Sequence, residues 1–69
     1  MQVRRINRIW AVRFHDGELY EAQPGETLTV LSMDALAREA FIVFDERHRR
    51  GWWSLESVLW YSDRVFFEE

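Results

Sequence analysis

The residues with the most potential for chemistry lie in one short stretch, "ERHRRGWWSL", at positions 46–55. It contains three arginines followed by a tryptophan, Arg47, Arg49, Arg50 and Trp52. Guanidinium groups bind phosphate and an indole stacks on a base, so one interpretation is a nucleotide- or RNA-binding loop. The other interpretation is a solvated hairpin loop that leads a strand into the core.

Catalytic chemistry is not indicated elsewhere in the sequence. A nucleophilic mechanism needs a serine or cysteine held by an oriented base, but there is no cysteine, and the histidines, His15 and His48, lie in no such motif. The adjacent carboxylates of Asp45–Glu46 and Glu68–Glu69 would point to opposite faces of a strand and could not share a site. The sequence therefore predicts a non-enzymatic protein with no cofactor and no metal site.

Composition limits the classes of partner. The 69 residues predict a single small globular domain over 1–69, and the net charge of −3 disfavours a general nucleic-acid binder. All nine basic residues are arginine, which favours bidentate contacts to carboxylate or phosphate, although coding bias is the simpler explanation. The longest apolar runs, 41–44 and 58–61, are too short to span a bilayer, and no signal peptide is apparent. We therefore expect a cytoplasmic protein with no membrane partner.

Alternating apolar residues predict strands in the first half of the chain. Residues 5–14 read as a strand, and the Asp16–Gly17 pair predicts a type I′ hairpin turn into a return strand at 18–22. Pro24–Gly25 suits the centre of a type II turn, and the β-branched residues of 26–31 predict a third strand.

The second half combines helical and extended patterns. "SMDALAREA" (32–40) predicts a short helix capped by Ser32, followed by an apolar strand at 41–46. For "SLESVLWY" (54–61) we favour a bend and then a strand, with a short helix capped by Ser54 as the alternative. The last residues, "VFFEE", predict a strand on a sheet edge. The predicted fold is mainly β (α+β). It is a small, strongly bent antiparallel sheet or a partly open SH3-like or Sm-like barrel of five to six strands with one short helix.

The order of these motifs resembles that of a known family. "VRFHDGELYEA", "FIVFDE", "WSLESVLW" and the terminal "RVFFEE" are similar in order to the elements of Sm-like small-barrel regulators such as the Rho-inhibitor Rof. The resemblance covers most of the chain and implies a small acidic protein that docks on a larger machine. The helix lies between strands here and the tryptophans are not part of that pattern, so no functional residue is carried over.

The C-terminal half predicts a contact surface because it is apolar on both faces of its strands. Neighbouring residues such as Trp52 and Trp53 must face opposite sides of a strand, so one of them serves the core and the other does not. One short helix cannot cover a second face, so we expect another chain to bury it. Aromatic residues and arginine are enriched at the centres of protein interfaces. The predicted partner-binding residues are Arg47, Arg49, Arg50, Trp52, Trp60, Tyr61 and Phe66.

Two functions follow as hypotheses. The first is a small acidic inhibitor or regulator that binds a larger protein complex, with a homodimer as a related option. Proteins of this size without a catalytic set include the regulators that phages and mobile elements use against host machinery, and an anti-defence (anti-CRISPR-like) role fits that class. The second is an oligomeric nucleotide- or RNA-binding small barrel that uses Arg47, Arg49, Arg50 and Trp52.

Overall fold

The computed structural model describes residues 2–65, which form seven strands and one helix. In chain order these are β1 (Gln2–Ile6), β2 (Trp10–Arg13), β3 (Leu19–Ala22), β4 (Thr27–Asp34), β5 (Glu39–Phe44), β6 (Arg49–Ser54), α1 (Leu55–Tyr61) and β7 (Ser62–Arg64).

The strands form two antiparallel sheets. Five of them make a sheet in the order β6-β5-β4-β1-β7, and β2 and β3 pair separately as a hairpin. A bulge between Val30 and Ser32 interrupts the register of β4, and such bulges bend a strand. The five-stranded sheet does not close into a barrel. The predicted mainly β fold with one short helix is thus confirmed, in its open form. The predicted first strand divides at residues 7–9 into β1 and β2.

Two glycines set the turns of the first half. The β2–β3 hairpin closes through hydrogen bonds from Gly17 N to Phe14 O and from Phe14 N to Glu18 O, both 2.9 Å. Only Gly17 has a positive φ in this loop, at 89°, so the connection is a three-residue loop with a bulge and not the predicted type I′ turn. At Pro24–Gly25 the predicted type II turn is confirmed, because Gly25 has φ 100° and Glu26 N donates to Gln23 O at 3.1 Å.

The predicted helix at 32–40 is wrong. Strand β4 runs on to Asp34, a four-residue turn follows, and β5 begins at Glu39. The side chain of Asp34 accepts hydrogen bonds from the backbone N–H groups of Leu36 and Ala37, each at 3.1 Å, and thereby stabilises the turn. A helix of so few residues is unstable alone, whereas the extended chain gains strand pairs such as Met33 with Ala40.

The favoured strand at 58–61 is also wrong, and the alternative helix is present. The Ser54 side chain caps α1 by accepting a hydrogen bond from Ser57 N at 3.2 Å. Leu55, Val58 and Tyr61 recur every three residues and pack toward the core, with Val58 fully buried. The apolar spacing of this segment is therefore helical and not alternating.

The core is aromatic and lies between the β2–β3 hairpin and one face of the large sheet, here called the inner face. Phe44 at its centre is 1% exposed. Its ring meets those of Trp10, Phe14, Tyr20 and Trp53 edge-on, with centroids 5.1–6.0 Å apart. Since the hairpin and α1 supply the covering layer on this face, the opposite, outer face has no layer over it among residues 2–65.

Candidate functional site on the outer face of the sheet

Strand β6 sends its two tryptophans to opposite faces. Trp53 packs against the buried core through T-shaped contacts with Trp10, Phe14 and Phe44. Trp52 lies on the outer face and remains 43% exposed. The prediction that one tryptophan of the pair serves the core and the other does not is confirmed, and the core residue is Trp53.

The exposed indole rests on a ring of the neighbouring strand. Phe41 of β5 is directly opposite Trp52, and the two ring centroids are 5.3 Å apart. A hydrogen bond from Leu55 N to Arg38 O, at 2.8 Å, fixes the phase of the β5–β6 ladder, and in that phase Phe41 and Trp52 form a non-hydrogen-bonded pair. Side chains approach most closely at such pairs. The ring contact therefore follows from the register of the two strands.

The apolar surface continues along the same strands. Val43 is the next outer-face residue of β5, and its partner on β6 is the exposed Arg50. Beyond them the carboxylate of Asp45 accepts hydrogen bonds from the hydroxyls of Thr27 and Thr29, at 2.6 and 3.0 Å. The result is a patch of three apolar side chains and one cation, with a bound carboxylate beside it. We call it the outer-face patch and define it as Phe41, Val43, Arg50 and Trp52.

Two of the predicted arginines lie elsewhere and are engaged. The Arg49 guanidinium binds Asp16 and Glu18, both at 3.0 Å, and lies 4.3 Å from the centre of the Phe14 ring. Arg47 lies 4.7 Å from the centre of the Tyr20 ring. Both side chains therefore hold the β2–β3 hairpin to the sheet.

The contacts of Asp16 in the β2–β3 hairpin lower its pKa. The pKa of Asp16 is held below its ordinary value, chiefly by the hydrogen bond from the Glu18 backbone N–H and also by Arg49. The charged form of Asp16 is thus favoured beside Arg49, whose guanidinium also contacts Glu18.

The residues predicted to bind a nucleotide are consequently divided between two places. Arg50 and Trp52 share the outer face, whereas Arg47 and Arg49 contact the hairpin that covers the inner face. A phosphate site using all three arginines would require Arg47 and Arg49 to leave their present partners. Nucleotide binding by this set stays a prediction.

The remaining predicted contact residues differ in their surroundings. Trp60 on α1 is 60% exposed, and Arg8 covers its ring at 4.0 Å. Tyr61 stacks on Trp10, with centroids 5.0 Å apart and planes 3° from parallel, so its ring belongs to the core. Phe66 lies outside the described residues. Leu59, also exposed, joins Trp60 along the side of a shallow hollow.

Sequence reasoning did not single out three residues that the structure places at these surfaces: Phe41, Val43 and Arg8. Alternation does place Phe41 and Val43 on one face of a strand, opposite Ile42 and Phe44. Which of the two faces is covered depends on the hairpin, which sequence alternation alone does not position. Arg8 lies in the connection between β1 and β2, and no local pattern signals its contact with a residue far along the chain.

Other kinds of site find no support in the described part of the chain. Among residues 2–65, no three histidine, aspartate or glutamate side chains lie close enough together to hold a metal ion. The described helix is also too short to cross a membrane. The side chains of the outer-face patch offer apolar packing, a cation and hydrogen bonding.

Comparison with known proteins returned no match to any family model, curated protein or solved structure. The resemblance to Sm-like regulators accordingly stays a prediction.

Proposed function

We propose that this protein is a non-enzymatic interaction protein that binds a protein partner through the outer-face patch and acts as a regulator or inhibitor of a larger complex. The single observation that carries the proposal is the Phe41–Trp52 pair, a two-ring apolar contact that lies on the sheet face opposite the core.

The composition of the patch favours a protein partner. Exposed tryptophan, phenylalanine and arginine side chains are typical of the energetically dominant centres of protein interfaces. Trp52 is held against Phe41, so little side-chain freedom is lost when a partner covers it. A rigid aromatic anchor beside a single cation suits an apolar protein surface that carries a carboxylate.

The distribution of charge also favours a protein partner over a nucleic acid. Arg50 is the one predicted arginine that belongs to the outer-face patch, and Asp45 lies on the same face. Affinity for nucleic acid comes largely from several cations that neutralise phosphates, and the chain has net charge −3. The acidic composition instead suits a partner with a basic surface around an apolar centre.

Site-specific photo-crosslinking tests the proposal directly. A benzoylphenylalanine placed at Trp52 would be activated in cells of the source organism, and adducts would be identified by mass spectrometry. We expect a discrete adduct with a different protein from this position, because its ring lies where a partner packs. An adduct only with a second copy of the chain would not support a separate partner.

The matched control places the same photo-reactive residue at Leu36, which is 99% exposed at the tip of the β4–β5 turn and outside the patch. Position 36 should give no discrete adduct. Equal adducts from both positions would contradict a specific surface. An adduct at position 52 that nuclease treatment removes would favour the nucleic-acid alternative instead.

A further inference from the structure

The edge of strand β6 has hydrogen-bonding groups that no described residue uses. Within the described residues, β6 is the outermost strand on its side of the five-stranded sheet, and β5 is its only strand partner. The ladder phase set by the bond from Leu55 N to Arg38 O makes Gly51 and Trp53 the residues hydrogen-bonded to β5. The backbone N–H and C=O groups of Arg50 and Trp52 therefore point away from the sheet.

Such an edge is a template for another strand. Among residues 2–65, no backbone hydrogen bond of a turn, loop or cap involves Arg50 or Trp52. Their side chains, both exposed, stand on the outer face at the same edge. An added strand would therefore gain backbone hydrogen bonds and side-chain contacts from the same two residues.

We propose that the occupant of this edge is a second copy of the chain, whose β6 pairs antiparallel with the first across a two-fold axis at Gly51. In this register each Arg50 lies directly opposite the second copy's Trp52 on the outer face, as a hydrogen-bonded pair. A guanidinium over an indole is a favourable contact, and symmetry provides it twice. The surface is thus complementary to itself in charge and in hydrogen bonding.

The neighbouring registers are less favourable. Centring the pair on Arg50 would set two arginines opposite each other, and like charges in that position are destabilising. Centring it on Trp52 would set Arg50 opposite Ser54, where the chain already turns into α1. A shift by one residue would place outer-face side chains opposite inner-face ones, which the pleat forbids.

The two-fold pairing would join the sheets of two copies into one sheet of ten strands and bring the two outer-face patches side by side. Arg49 does not oppose this arrangement, because Asp16 and Glu18 already neutralise its charge on the inner face. This inference does not rest on the proposed protein partner, although its side-chain contacts use Arg50 and Trp52, which belong to the outer-face patch.

Sedimentation equilibrium of the full chain, from low micromolar to near-millimolar concentration, tests the proposal. We expect the mass to rise from that of the monomer at low micromolar concentration to twice that mass at high concentration, with the same behaviour at moderate salt. Arg50→Pro should give a monomer, because proline removes an N–H that faces away from β5 and leaves the β5–β6 ladder intact. Arg50→Thr retains this N–H and should remain able to dimerise, with affinity weakened about tenfold by loss of the two Arg–Trp contacts. Arg13→Thr, which removes an exposed arginine from β2, should have no effect.

Amide hydrogen exchange provides a second reading that does not depend on a variant folding. The N–H groups of Arg50 and Trp52 should become protected as concentration rises, while the N–H of Gly51, bonded within the monomer, changes less. A wild-type monomer at the highest concentration would overturn the proposal. A dimer that persists in folded Arg50→Pro, or one without protection at Arg50 and Trp52, would assign dimerisation to another surface.

Discussion

At the scale of single residues, the least expected feature is a buried arginine without a carboxylate in contact among residues 2–65. Arg4 is 8% exposed, and its guanidinium donates to Ser62 Oγ at 2.8 Å and to Ser62 O at 2.7 Å. Burial lowers the pKa of Arg4 from its ordinary value, and the charge of nearby Asp63 opposes this effect. Ser62, itself fully buried, thus solvates a cation where β1 meets β7.

Substitution at Ser62 should reveal how far the arginine depends on it. Ser62→Ala should lower the free energy of unfolding by roughly 1–3 kcal/mol, because a buried donor of Arg4 loses its acceptor. Urea denaturation followed by far-UV circular dichroism measures this cost. The double variant Arg4→Met/Ser62→Ala should recover part of it, since replacing both partners by apolar groups leaves no donor unsatisfied. Additive costs in the double variant would show that the two side chains act independently.

At the scale of elements, the stability of α1 depends on its N-cap, Ser54, because the helix has only about two turns. Ser54→Ala removes the acceptor for Ser57 N and should cost about 1 kcal/mol of stability. Ser57→Ala is the matched control, because it loses the bond between the two hydroxyls but retains the cap. Urea midpoints of the two variants provide the comparison. Equal losses would mean that the hydroxyl pair, and not the cap, stabilises the helix.

The elements also show which parts of the fold the sequence predicts. Gly17 and Gly25 place two turns correctly, because few other residues adopt positive φ. The segment 32–40 misled the prediction, since Met33, Leu36, Ala37 and Ala40 recur at helical spacing by coincidence. Leu36 and Ala37 occupy a turn tip, where their apolar character has no packing role. The local sequence pattern does not show whether a short, weakly stable helix or pairing with other strands has the lower free energy.

The candidate site was predictable to a similar extent. Strand alternation predicts that Trp52 and Trp53 lie on opposite faces of β6, and the structure confirms this. It does not reveal which tryptophan is buried, because that depends on where the β2–β3 hairpin lies. Arg47 and Arg49 look equivalent to Arg50 in the sequence, yet their aromatic partners, Tyr20 and Phe14, lie on the hairpin. Contacts between distant segments of the chain, and not sequence spacing, therefore determine which of these residues lie at the candidate site.

At the scale of the whole molecule, aromatic residues on the two faces of β5 have separate roles. Phe44 joins the hairpin to the sheet, while Phe41 and Trp52 pack on each other across the outer face. A domain of this length has a free energy of unfolding of roughly 3–10 kcal/mol. Loss of an inner-face ring should therefore remove most of the free energy of unfolding. Loss of the outer-face rings should remove little of it.

The comparison of Phe44→Ala with Phe41→Thr/Trp52→Thr tests this division. Phe44→Ala should cost roughly 3–5 kcal/mol and leave much of the protein unfolded. The double variant retains β-forming residues and should lose only about 0.2–1 kcal/mol, the contribution of one cross-strand pair. Urea denaturation at low micromolar concentration keeps self-association out of the measurement. If the double variant unfolded as readily as Phe44→Ala, the outer-face rings would be needed for folding. The exposure of Trp52 would then no longer indicate a partner.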